Sequence, residues 1–188
     1  MPLKRLFDFA VAALALAAFA VPMLFIWAMV RATSAGPALY WSQRVGSNNR
    51  LFWMPKFRTM RINAPVVATH LLTNPAQHLT PVGGFLRKTS LDELPQLWSI
   101  LKGDMSLVGP RPALFNQDDL ILARTRENVH RLLPGLTGWA QVNGRDELAI
   151  PEKVKLDAEY LRRQSFWFDL RILGVTALKV VGAAGVKH

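Results

Sequence analysis

The sequence predicts a mainly α fold with one small β-hairpin, an α+β arrangement in which an N-terminal re-entrant membrane helix and interface-lying amphipathic helices surround a cytoplasmic-face domain. Three observations predict it: an unbroken apolar run of 22 residues from Phe9 to Val30, two strand-like runs flanking Gly46-Ser-Asn-Asn49, and later segments with apolar residues at helical spacing. At 188 residues, 51% of them hydrophobic, the chain can bury one core and is too apolar for a disordered tail. It divides into a membrane-embedded helix over 1–33 and a domain over 34–188, continuous with the anchor as one unit.

The apolar run has the length of a bilayer-spanning helix. Its flanks argue for a different course. Lys4 and Arg5 precede it and Arg31 follows it, so the bias of cationic flanks toward the cytoplasm draws both ends to one side. Pro22 removes a helical hydrogen bond inside the run and permits a sharp bend, so the segment is expected to dip into one leaflet and return. A single-pass anchor and a signal peptide cleaved after Ala18-Phe-Ala20 are the alternatives, and the apolar run continues well past that cleavage site.

Ala38 to Arg44 and Leu51 to Phe57 read as the two strands of a hairpin, with Pro55 confining the second to an edge. Residues 64–81, with Pro65, Pro75 and Pro81, read as a loop with short helical turns. Leu91, Leu94, Leu97, Trp98 and Leu101 recur at helical spacing and stop at Gly103. Leu107 to Pro112 reads as a rigid turn in which two prolines present Arg111. Asp118 to Leu133 reads as an amphipathic helix, Pro134 to Arg145 as a glycine-rich loop able to approach a phosphate, and Glu152 to Arg163 as a charged helix. Ser165 to Val181 mixes Phe166, Trp167 and Phe168 with aliphatic residues, a pattern that fits an interface-lying helix or a core helix equally.

The net charge is +10, and it is unevenly placed. Ten bases precede Asp92 against Asp8 alone, so the N-terminal half presents a surface for anionic headgroups, nucleotide phosphates or nucleic acid. The absence of cysteine excludes disulfides, thiolate metal sites and thiol nucleophiles. His70, His78, His130 and His188 show no ligand spacing.

The segment richest in chemistry is Arg87-Lys-Thr-Ser-Leu-Asp-Glu-Leu-Pro-Gln-Leu97. It sets Asp92 and Glu93 at an expected helix start behind two cations, where one carboxylate can attack or hold substrate while the other holds a metal. Ser90 and Glu93 also read as a capping box, which would make the acids purely structural.

That segment, with Lys56-Phe-Arg-Thr-Met60, Lys102-Gly-Asp-Met-Ser-Leu-Val-Gly-Pro-Arg-Pro112 and Pro134-Gly-Leu-Thr-Gly-Trp-Ala-Gln-Val-Asn-Gly-Arg145, closely resembles the bacterial sugar transferase family. These are the small monotopic polyprenyl-phosphate phosphoglycosyltransferases. The resemblance implies transfer of a phospho-sugar from a UDP-sugar to polyprenyl (undecaprenyl) phosphate with release of UMP, the first membrane step of glycan or glycoconjugate assembly. It implies Asp92 as a nucleophile that forms a covalent aspartyl intermediate, with Glu93 as its catalytic partner and a Mg²⁺ ligand. Arg111 resembles the nucleotide-contacting arginine, Lys56, Arg58, Arg87 and Arg145 fall at substrate-binding positions, and Asp169 falls at a substrate or metal position. The expected partners are a UDP-sugar, polyprenyl phosphate and membrane lipids at the cytoplasmic face of the bacterial inner membrane, with a homo-oligomer left open. The family's usual Ser-Pro at the membrane bend is Val21-Pro22 here, and Met54-Pro55 replaces a hydrophobic-aromatic pair. A non-catalytic scaffold of the same fold has little reason to keep Asp92, Glu93 and Arg111 together, and a nucleic-acid binder has little use for the apolar run.

Overall fold

The computed structural model describes residues 2–67, 74–144 and 148–181. A single long helix, α1 (Pro2–Thr33), leads into an antiparallel hairpin of β1 (Leu39–Val45) and β2 (Leu51–Phe57). Short helices α2 (Gly83–Lys88) and α3 (Leu97–Lys102) follow, then β3 (Ser106–Val108), α4 (Asp118–Arg126), β4 (Gly135–Thr137), α5 (Trp139–Asn143), α6 (Ile150–Arg163) and α7 (Phe166–Val181).

Helix α1 is long and apolar enough to cross a membrane, and Pro22 lies inside it without ending it. At 1.5 Å per residue its 32 residues extend about 48 Å. Both halves pack on the rest of the chain. Phe7, Val11, Ala12, Ala15 and Leu16 join the main core with Met54, Ile100, Met105 and Tyr160, while Met23, Ile26, Met29 and Val30 join a second cluster with Phe57 and Leu86. Polar contacts fix the N-terminal end. Arg5 donates to the carbonyls of Ile100 (2.5 Å) and Leu101 (2.9 Å), satisfying the last turn of α3, and the buried Asp8 carboxylate accepts from the Ser106 hydroxyl (2.7 Å) and the Leu107 amide (3.3 Å).

The hairpin forms as expected, with Tyr40 opposite Lys56 and Arg44 opposite Phe52. Asn48 and Asn49 take positive φ in its turn, a conformation asparagine tolerates. From the loop over 64–81, Pro75–His78 forms a 3₁₀ turn, and residues 68–73, His70 among them, lie outside the described residues. The helix expected from Leu91 is split: Leu91–Gln96 is a 3₁₀ segment containing Pro95, and α3 begins only at Leu97. Pro95 lacks the N–H that would donate back to Leu91, so a regular α-helical ladder cannot run through it. Gly103 (φ 94°) ends α3 where the sequence places the stop. No capping box forms, because Ser90 sits in a left-handed conformation (φ 57°) and makes no side-chain cap.

Two further expectations need correction. The helix over Asp118–Leu133 ends at Arg126, because Asn128 turns left-handed (φ 61°) and a 3₁₀ turn over Val129–Arg131 follows. The glycine-rich stretch is a strand and a short helix, β4 and α5, with β4 pairing parallel to β3. Its glycines serve backbone packing: a Cβ on Gly135 would lie 2.1 Å from the Gly109 nitrogen, and one on Gly138 would lie 2.0 Å from the Gly109 oxygen. Helix α7 buries Phe168 and Ile172 in the core, while Trp167 and Leu178 remain about three-quarters exposed (78% and 76%).

Candidate active site

Asp92 lies in the 3₁₀ segment that packs against β2, and it is 6% exposed. Burial, and after it the neighbouring Glu93 charge, push its carboxyl up to about 6, while Lys56, Arg87 and Arg111 pull it back down. At neutral pH such a group is mainly ionised, yet more basic than an ordinary aspartate, which favours nucleophilic attack. Lys56 on β2 is lowered to about 8, first by burial and then by the Arg44 cation, against the attraction of Asp92 and Glu93. Arg87 on α2 donates from Nε to the Thr59 hydroxyl at 3.0 Å. Arg111 donates from Nη2 to Glu93 Oε1 at 2.8 Å. The structure therefore brings Lys56, Arg87, Asp92, Glu93 and Arg111 into one electrostatic cluster.

The remaining expected residues are placed differently. Arg58 donates from Nε to the Pro37 carbonyl at 2.8 Å, with its guanidinium 5.6 Å from the centre of the Tyr40 ring, which the Lys56 ammonium also approaches at 5.5 Å. Asp169, in the first turn of α7, is buried and engaged by the Lys4 ammonium (2.5 Å) and the Tyr160 hydroxyl (2.6 Å). Among the described residues no group of three His, Asp or Glu side chains forms a metal cluster, so Asp169 does not join Asp92 and Glu93 in one. Arg145 lies outside the described residues.

Sequence reasoning missed Arg44. It donates from Nε to Ser42 Oγ (2.9 Å) and from Nη1 to the Pro112 carbonyl (3.1 Å). The signal was the hairpin register: strand alternation puts Tyr40, Ser42 and Arg44 on the face that carries Met54 and Lys56. Arg124 and Asp157 were missed as well. They form a buried ion pair between α4 and α6 at 2.7 Å.

A domain packed along a helix long and apolar enough to cross a membrane thus carries a buried carboxylate flanked by cations. A family described as bacterial sugar transferase matches residues 1–183, and the chain belongs to that family. It is 41% identical over 188 residues to the uncharacterized sugar transferase EpsL of Bacillus subtilis, covering all of this chain and 92% of EpsL. It is 39% identical over 201 residues to the undecaprenyl-phosphate galactose phosphotransferase of Salmonella typhimurium, covering 97% of this chain and 41% of that protein. The UDP-glucose:undecaprenyl-phosphate glucose-1-phosphate transferase of Xanthomonas campestris is 40% identical over 187 residues, covering 95% of this chain and 39% of its own length. The chain thus spans about two fifths of these two longer relatives.

Proposed function

We propose that this protein is a polyprenyl-phosphate phosphoglycosyltransferase, moving a phospho-sugar from a UDP-sugar to undecaprenyl phosphate with release of UMP. It acts at the cytoplasmic face of the bacterial inner membrane and starts assembly of a glycan or glycoconjugate. The observation that carries this reading is Asp92, a buried carboxylate held among Lys56, Arg87 and Arg111 beside Glu93. The substrates named for the relatives from Salmonella and Xanthomonas support it.

In the first step an Asp92 carboxylate oxygen bonds to the sugar-bearing phosphorus, the bond from that phosphorus to the bridging oxygen breaks, and UMP leaves with the electron pair. In the second, an oxygen of the lipid phosphate bonds to the same phosphorus and Asp92 departs as a carboxylate, leaving a polyprenyl diphosphate sugar. Two anionic substrates thus meet an anionic nucleophile in turn, and Lys56, Arg87 and Arg111 offset the repulsion. Arg111 contacts the nucleotide, and Arg58 and Arg145 bind substrate.

Mg²⁺ fits the donor set. This ion is commonly held by one or two carboxylates together with substrate phosphates, and Glu93 beside Asp92 supplies carboxylates without an all-protein cage. Held by Glu93, it supplies neutralisation of charge on the diphosphate oxygens. Asp169, already engaged by Lys4 and Tyr160, is the weaker candidate ligand.

With undecaprenyl phosphate and Mg²⁺ present, one member of a UDP-sugar panel is expected to release UMP in proportion to lipid consumed. Absence of release with every UDP-sugar contradicts the assignment.

The re-entrant course of α1 has a packing argument beside the charge argument. A helix crossing the bilayer would carry one end about 30 Å from the other across hydrocarbon, yet residues near Arg5 and near Val30 both pack on the same described chain. Because the chain has no cysteine, Pro2→Cys and Ser34→Cys give single labelling sites. Both are expected to resist a membrane-impermeant thiol reagent applied outside intact cells. Labelling of one and protection of the other would make α1 a span.

A further inference from the structure

We propose that the buried pair of Arg124 and Asp157 is a positioning device that fixes the backbone of Arg111 and so aims its guanidinium at Glu93. Arg124 (8% exposed) donates from Nε and Nη2 to Asp157 Oδ2 at 2.9 and 2.7 Å. Its remaining nitrogen, Nη1, donates to the backbone carbonyl of Arg111 at 2.7 Å. The planar fork of a guanidinium makes this possible: one edge is locked by a carboxylate, which leaves the third nitrogen at a fixed place and angle.

The segment it holds is pinned at every carbonyl. Pro110 O accepts from the Gly135 amide (2.9 Å), Arg111 O from Arg124, Pro112 O from Arg44 (3.1 Å) and Ala113 O from the Val45 amide (3.0 Å). Pro110 and Pro112 fix φ on both sides of Arg111. The long, half-buried side chain of Arg111 therefore begins from an immobile base, and its tip meets Glu93 at 2.8 Å. Stability alone is a poor reason to bury such a pair, because desolvating two charges offsets most of their attraction. Burial raises the Asp157 carboxyl above its ordinary value even with Arg124 in contact. What the pair supplies beyond packing is a donor aimed at one carbonyl of the site.

The proposal rests on the transferase reading for its kinetic test but not for its spectroscopic one. Arg124→Lys keeps the charge, yet an ammonium on a flexible stem cannot hold Asp157 and the Arg111 carbonyl in the same fixed fork. In steady-state UMP release it is expected to raise KM for the UDP-sugar about tenfold with a smaller change in kcat, since a misplaced binding group costs on that order. In an Arg111→Ala background the same change should move KM less than about twofold, because the group being positioned is gone. Multiplying effects in the double variant would overturn the proposal.

Independently of any activity, the arginine guanidinium NMR spectrum of the full chain in detergent should show slow Cζ–Nε rotation for Arg111, its signal identified by its loss in Arg111→Ala. That rotation should become fast in Arg124→Lys, and an unchanged Arg111 signal would also overturn the proposal. If no UDP-sugar supports UMP release by the wild type, the transferase reading fails and the NMR result alone decides the positioning claim. Should Arg124→Lys not fold, the neutral double variant Arg124→Gln with Asp157→Asn removes both buried charges together and enters the same two measurements, with the same outcomes for and against.

Discussion

Asp92→Asn is expected to abolish turnover, lowering UMP release by at least about 10⁴-fold, while the purified protein keeps its helical content and unfolds within a few degrees of the wild type. The side chains match in shape, so packing in the 3₁₀ segment is retained, and burial already disfavours the Asp92 charge that the change removes. What is lost is the attacking oxygen: an amide does not open a diphosphate. Lys56, Arg87 and Arg111 remain, so substrate binding should survive, and UDP-sugar affinity measured by titration should change far less than the rate. Near-normal turnover in purified Asp92→Asn would remove this residue from the chemistry.

Glu93→Gln carries the next largest effect, a fall of about 10²–10³-fold in rate. Gln can still accept the Arg111 hydrogen bond seen at 2.8 Å, so the geometry at Arg111 is kept and the missing quantity is negative charge. Loss of charge weakens the hold on a divalent cation, so the Mg²⁺ concentration giving half-maximal rate should rise and added Mg²⁺ should recover part of the activity. An unchanged Mg²⁺ dependence would mean that Glu93 serves Arg111 alone.

What the sequence made legible follows from how local each signal was. The hairpin could be read because alternation, turn residues and an edge proline all lie within about twenty residues of one another. Helices α6 and α7 could be read because their period is their own. The parallel pairing of β3 with β4 could not, since strands of three residues show no period and their partners are separated by a whole helix. Gly135 and Gly138 were misread for the same reason: their role depends on Gly109, 26 and 29 positions earlier, and nothing adjacent to them reveals that close approach. The break at Asn128 was hidden in a stretch whose apolar spacing continues past it. In the site, Asp92, Glu93 and Arg111 stood out as chemistry in short motifs. Arg44 looked like an ordinary strand residue until its register put it on the same face of the hairpin as Lys56, and Arg124 and Asp157 became partners only when α4 packed on α6. Asp169 drew attention as an acid near the end of the match, and only the fold shows it answering Lys4, at the opposite end of the chain.

The covalent aspartyl intermediate is tested most directly by mixing enzyme with its UDP-sugar and Mg²⁺ in the absence of any lipid acceptor and following UMP under single-turnover conditions. The account predicts release of at most about one UMP per active site, then a stall, with a phospho-sugar adduct in the intact mass that maps to the peptide containing Asp92 and disappears when undecaprenyl phosphate is added. UMP release that depends strictly on the lipid would contradict it, because direct transfer needs the acceptor in place before the donor bond breaks, and Asp92 would then be a base or a metal ligand.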